Sequence, residues 1–253
     1  SGRPLSLARD IDRLAVEQSA MCPTKVLGNL RTQGTLQTLK CTIDQTRSNH
    51  GQTLARMMAL QEELDWECYR LYGLLLDAPR CDNSPPINLG ERAFEIVMAR
   101  QMAAGELDST WFVRHGSTPI TEMPTHWPEA YRQVVQRRIE IIERNRDIAL
   151  IEKPEYKRRW NTESWDEQLA RALREWLLNR LEDPRHWPSV ELTSAARLAD
   201  RMRQDTEFMQ VAELYRGRPD FDVVALVSEL ALSEGVPALP VWAARIFWRV
   251  AAS

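Results

Sequence analysis

Little in this chain invites covalent or metal chemistry. Its four cysteines, Cys22, Cys41, Cys68 and Cys81, are scattered without a Cys-x-x-Cys pair, so neither a redox dithiol nor a zinc knuckle is signalled and reduced thiols are expected. The four histidines are too few and too dispersed for a metal site, and no group of acidic residues has ligand spacing. No apolar run approaches the roughly eighteen residues needed to span a bilayer, and the N-terminus lacks the basic-then-apolar order of a secretion signal. A cytoplasmic protein is the expectation. The opening Ser1-Gly2-Arg3-Pro4 has no initiator Met and reads as a cloning or processing remnant. Basic charge is not in excess either: the net charge is −3, so any contact with nucleic acid must come from a local patch.

Runs of alternating apolar and polar residues are also missing, while proline, glycine and tryptophan punctuate segments of helical period. The expected fold class is mainly α, a multi-helix bundle with long proline-rich loops and little or no β-sheet. Three stretches are distinguished: 1–52, a helix over 4–20 and an irregular connection rich in Thr, Gln, Asn and Gly over 22–52; 53–160, a helical spacer; and 161–253, a C-terminal helical bundle. In the spacer, Leu54, Met57, Leu64, Cys68, Leu71 and Leu75 recur at three- and four-residue steps, with Gln61 filling the gap. This spacing predicts a helix over 53–76 with an apolar seam, Glu62, Glu63, Asp65 and Glu67 lying away from it, and Trp66, Tyr69 and Tyr72 as a second flank. Helices are further expected over 90–104, with Ala93, Phe94, Val97 and Met98 inside, and over 128–150, with Val134, Val135, Ile139, Ile142 and Ala149 inside. The stretch 105–128, with Pro119, Pro124 and Pro128, is a long loop. Ser164-Trp-Asp-Glu167 is a capping box that opens a helix burying Leu169, Leu173, Trp176, Leu177 and Leu181. Helices near 190–203, 205–216 and 220–234 follow, with Gly217 and Gly235 as stops.

The words of the first long helix, Leu60-Gln-Glu-Glu-Leu-Asp-Trp66 and Tyr69-Arg-Leu-Tyr-Gly-Leu74, carry a family signature. So do Leu89-Gly-Glu-Arg-Ala-Phe-Glu-Ile96, Arg114-His-Gly-Ser-Thr-Pro-Ile-Thr121, Ile151-Glu-Lys-Pro-Glu-Tyr-Lys-Arg-Arg-Trp160, and a block from Val211-Ala-Glu-Leu-Tyr215 to Val236-Pro-Ala-Leu-Pro240. In this order they resemble the region behind the catalytic and target-recognition parts of large adenine-specific DNA methyltransferases of the phage-growth-limitation type, the PglX proteins of bacteriophage exclusion (BREX) systems. The resemblance covers about residues 54–240. It implies a non-catalytic C-terminal helical region of such an enzyme. S-adenosylmethionine is the cofactor expected for the parent, and the upstream methyltransferase and target-recognition regions, DNA and other defence proteins are the expected partners, with no membrane. The chain itself offers no strand followed by a Gly-rich turn for that cofactor. The apolar ending Val241-Trp-Ala-Ala-Arg-Ile-Phe-Trp-Arg-Val250 departs from the charged ending associated with these proteins.

Three motifs are candidates for function. Asn83-Ser-Pro-Pro-Ile87 echoes the Asn-Pro-Pro-aromatic loop of adenine methyltransferases, but Ile87 stands where the base-stacking ring belongs. Phe112-Val-Arg-His-Gly-Ser-Thr118 matches the phosphate-binding signature of histidine phosphatases, in which the equivalent of His115 would be the nucleophile. That motif requires an early strand and a second histidine, and only His126 and His186 follow it. The third is a basic run, Arg132, Arg137, Arg138, Arg144, Arg146, Lys153, Lys157, Arg158 and Arg159, interleaved at its end with Tyr156 and Trp160. Such cations contact DNA phosphates without reading sequence, and aromatic neighbours stack on unpaired bases. A solvated helix face, with Glu140 four residues before Arg144, reads the same pattern equally well. An alternative function is an interaction module that docks other defence components through its aromatic, apolar C-terminal end.

Overall fold

The computed structural model describes residues 2–28, 35–160, 163–187 and 193–232. Among them every regular element is helical, as the absence of alternation demands. In chain order these are α1 (Arg3–Ala20), α2 (Pro23–Gly28), α3 (Leu36–Leu71), α4 (Ala93–Ala103), α5 (Trp111–Arg114), α6 (Glu129–Arg144), α7 (Arg146–Ile151), α8 (Trp165–Leu181), α9 (Ala195–Arg203), α10 (Thr206–Arg216) and α11 (Val223–Leu232), with one 3-10 turn at Pro184–His186. They group into two compact units, each discontinuous in sequence: residues 1–20 with 48–162, and residues 21–47 with 163–253.

The first unit is built on the later part of α3. Ala55, Met58, Ala59, Glu62, Glu63 and Trp66 are all buried and follow one another at three- and four-residue steps, so they form one inward stripe. This is not the seam the apolar spacing predicts. Leu64 and Cys68 are only half-buried and Leu71 is exposed, while Glu62, Glu63 and Glu67, expected away from the seam, are 3%, 1% and 1% exposed. The helix also begins well before residue 53, because the Thr- and Gln-rich stretch from Leu36 onward is helical rather than irregular. It ends earlier than residue 76. Gly73 takes a left-handed conformation (φ 73°), its N–H donates to the Arg70 carbonyl and the Leu74 N–H to that of Tyr69, a pairing that closes a helix and suits glycine.

Against α3 lie α4, with Ala93, Phe94, Val97 and Met98 buried as expected, and α6, with Val135, Ile139 and Ile142 inward. Instead of one helix over 128–150 there are two. Asn145 is extended, and its side chain accepts the N–H groups of Asp147 and Ile148, capping α7. The loop over 105–128 contains the single turn α5, whose Trp111 and Phe112 reach the core.

In the second unit α8 opens at the expected capping box: Ser164 Oγ accepts from Glu167 N, and Glu167 returns to the Ser164 N–H at 3.0 Å. Its Leu173, Leu177 and Leu181 are buried, whereas Leu169 and Trp176 pack at the margin. α2, α9, α10 and α11 complete this core with Leu27, Leu198, Met202, Phe208, Val211, Leu226 and Leu230. Gly217 ends α10 in the left-handed conformation as expected; Gly235 lies outside the described residues.

Candidate functional site

Three carboxylates of α3, Glu62, Glu63 and Glu67, are buried, and each meets a cation. Glu63 accepts from Arg138 Nη2 at 2.8 Å and from the Cys81 N–H at 2.8 Å. Arg138 also donates to the Pro79 carbonyl and lies 5.3 Å from the centre of the Trp66 ring. Glu67 pairs with Arg70 at 2.5 Å and Arg80 at 3.4 Å. One turn away, Lys157 Nζ sits among three carboxylates: Asp65 at 2.7 Å, Glu152 at 3.0 Å and Glu62 at 3.4 Å. The Tyr69 hydroxyl donates to the same Glu152 oxygen at 2.5 Å.

Three acids around one ammonium leave an excess of negative charge in a largely buried place. Burial pushes the Glu62 carboxyl up to about 7 against the pull of Lys157, and Glu152 and Asp65 add to the rise. Burial alone would lower the Lys157 ammonium, but Glu152, Glu62 and Asp65 outweigh it and hold the group well above the ordinary lysine range. Tyr69 is pushed up by burial and by the same acids.

A second ionic node stands beside it. Arg92, just before α4, forks onto Glu95 through Nε at 3.0 Å and Nη2 at 2.8 Å. Glu95 also accepts the N–H groups of Gly90 and Arg92 and the Trp111 Nε1–H. Burial works to raise the Glu95 carboxyl, yet the bonds from Arg92 and Trp111 prevail and the net shift is downward. The remaining Arg92 donor reaches the Arg158 carbonyl at 2.9 Å, which ties this node to the segment that carries Lys157.

These contacts divide the basic run in two. Arg138 and Lys157 point inward as partners of buried carboxylates, and Trp160 is 5% exposed beneath Arg158. Arg138 and Lys157 are engaged by buried acids and cannot also hold a phosphate, and the Trp160 ring is covered by Arg158, so none of the three presents itself to a nucleic acid. Arg137, Arg144, Arg146, Lys153, Tyr156, Arg158 and Arg159 are exposed, and Arg132 is half-exposed. Arg132 pairs with Glu129 and Arg137 with Asp77 at the surface, where such pairs contribute about 0–1 kcal/mol. Arg144, Arg146, Lys153 and Arg159 have no ion-pair partner among the described residues.

The two enzyme-like motifs are packed as structure. The His115 ring stacks on Trp111 with centroids 3.7 Å apart, and its Nδ1 is 2.7 Å from the Trp111 carbonyl oxygen. It follows the single helical turn α5 and no strand, so the phosphatase reading fails its context. In Asn83-Ser-Pro-Pro-Ile87, Ser84 and Ile87 are buried, the Ile87 N–H donates to the Ala55 carbonyl, and Arg56 donates to the Ser84 carbonyl. This is a linker strapped to α3. Among the described residues no strand followed by a glycine turn and a helix is built. No described helix is long and apolar enough to cross a membrane.

The acidic members Glu62, Glu63 and Glu95 and the fork of Arg92 lie outside the basic-run reading, which counts Glu152 only as a charge within the run. Their one sequence signal is the inward stripe of small and aromatic residues on which Glu62 and Glu63 fall.

A family model described as a domain of unknown function, DUF7008, matches residues 57–246. The chain is 43% identical over 247 residues to the adenine-specific methyltransferase PglX of Streptomyces coelicolor, an alignment that covers 93% of this chain and 20% of that protein. The chain thus spans about a fifth of the length of this relative, consistent with a C-terminal region of a PglX-type protein. No solved structure matches.

Proposed function

Since this chain belongs to the family described as a domain of unknown function, DUF7008, and resembles part of a PglX-type methyltransferase, we propose that it is a non-catalytic helical region which holds DNA for a catalytic region elsewhere in such a protein. Methyl transfer and S-adenosylmethionine binding are assigned to those other regions, and the setting is phage defence of the BREX type. The observation that carries the DNA reading is a set of four exposed cations within one run, Arg144, Arg146, Lys153 and Arg159, that form no ion pair among the described residues. Exposed arginines and lysines with no competing carboxylate release counterions when they meet phosphates, and this supplies sequence-independent affinity.

The test is duplex binding by the full chain as a function of salt. Measurable binding at low salt is expected, with the slope of log K against log salt shallower by roughly 0.9 for each of these cations changed to alanine. Absence of binding at low salt, or an unchanged slope in the fourfold variant, would sink the reading.

A second reading, docking to other regions of the parent or to other defence proteins, is favoured by the turn after α3, where Leu71, Tyr72, Leu74 and Leu76 are all exposed. The apolar end over 241–253, to which the sequence assigns this role, lies outside the described residues. A protein partner retained by the unaltered chain and lost from the Leu74→Ser, Leu76→Ser variant supports docking; equal retention removes it.

A further inference from the structure

The segment after α7 alternates in its exposure. Glu152, Lys157 and Trp160 are buried, while Lys153, Tyr156, Arg158 and Arg159 face solvent. The buried members fix the exposed ones. Lys157 is held by three carboxylates, the Arg158 carbonyl by Arg92, and the Tyr156 N–H closes a turn on the Lys153 carbonyl at 3.0 Å. Arg158 is fixed at its tip as well: its guanidinium lies 4.2 Å from the centre of the Trp160 ring and reaches Gln61 at 3.5 Å. The guanidinium rests over tryptophan while the residue stays exposed, so part of this planar cation is open to solvent.

Tyr156 has no such anchor. It is 68% exposed, and of the two exposed tyrosines in this unit, Tyr72 and Tyr156, only Tyr156 lies within a run of cations. A large ring left in water beside a pre-positioned guanidinium and two further cations is the arrangement that receives an unpaired base and its flanking phosphates. Aromatic rings and guanidinium planes stack on any base, and the charges follow the backbone. In a duplex the base faces are covered by their neighbours, so neither plane has anything to meet.

We infer that the 153–159 turn is a binding site for single-stranded DNA, with Tyr156 and the open part of the Arg158 guanidinium stacking on bases and Lys153 and Arg159 on the phosphates. This rests on the DNA reading above and deepens it: duplex is held by charge alone, and a displaced strand is held by charge and stacking.

The test compares the full chain on a labelled oligothymidylate, a strand of equal length with abasic sites, and a duplex. Tyr156→Ala is expected to weaken the single strand on the order of tenfold, the size of one lost base stack, while leaving the abasic strand and the duplex unchanged. Tyr156→Phe keeps the affinity, since the ring rather than the hydroxyl does the work, and Arg158→Lys loses part of it with the charge intact. Equal weakening of all three ligands by Tyr156→Ala, or no weakening of any, overturns the inference. If the unaltered chain binds duplex but shows no preference for bases over abasic sugar, this inference alone falls. If it binds none of the ligands, the DNA reading falls with it.

Discussion

Lys157→Ala is expected to destabilise the first unit by about 3–5 kcal/mol, the usual consequence of removing one partner from a buried ion pair. The cause is specific. Asp65, Glu152 and Glu62 converge on this ammonium, and without it three carboxyl groups crowd together with Arg92 and Arg138 as the more distant cations acting on Glu62. The loss is expected to grow with pH. At low pH the acids take up protons and the missing cation matters less; near neutrality each must ionise beside the others or stay protonated against its ordinary tendency. Denaturant unfolding across a pH series checks this, and a loss below 1 kcal/mol, or one independent of pH, would refute the ionic account. The same experiment explains why Lys157 is unsuitable for probing DNA binding, although it sits in the middle of the basic run. A loss of binding in that variant would report unfolding.

The second large effect belongs to Glu62. Its carboxyl is raised from an ordinary 4.5 to about 7, so between these two values the folded protein keeps a proton that the unfolded chain has released. Stability must then fall as pH rises through this window, and the full cost, on the order of 3 kcal/mol, is present above the folded pKa. The direction is opposite to that of a salt-bridged carboxylate with a depressed pKa such as Glu95. Glu62→Gln removes the titration while keeping the shape, so the variant is expected to gain stability over the unaltered protein above neutrality and to match it in acid. Melting temperatures on both sides of the window decide the matter; a variant that is less stable at high pH would mean that Glu62 serves Lys157 as a carboxylate.

Glu62 and Glu63 also mark where reading the sequence stops short. The capping box at Ser164, the inward faces of α4 and α8 and the stop at Gly217 are local events, written within a few residues of where they act, and they were legible. So was the mainly α class. The burial of the acids was not. A carboxylate on a helix is ordinarily solvated, and what reverses this for Glu63 is Arg138, 75 positions away, and for Asp65 is Lys157, 92 positions away. Charge pairs at that separation leave no periodic trace. The same blindness merged Arg138 and Lys157 with the exposed cations, since a basic run says nothing about which members turn inward. The clue that was available was the stripe Ala55, Met58, Ala59, Glu62, Trp66, where small and aromatic residues flank an acid at core spacing. The break at Asn145 was likewise readable from an Asn followed by Asp two residues on, a helix-start pattern hidden inside a longer apolar period.

The discontinuity of the two units bears on how the chain is made and how it can be divided. Synthesis completes the first unit when residue 162 emerges, but by then residues 21–47, with Leu27, Leu39 and Ile43, have long been waiting for partners that come only after residue 163. Until α8 follows, those side chains lack the core they belong to. A gene cut at 162 would leave them so permanently, whereas a cut at 48 would take α1 from one unit and α2 from the other at once. The natural cleavage points of the sequence are therefore not those of the structure, and genetic shuffling of this region preserves both cores only when the whole of it moves together.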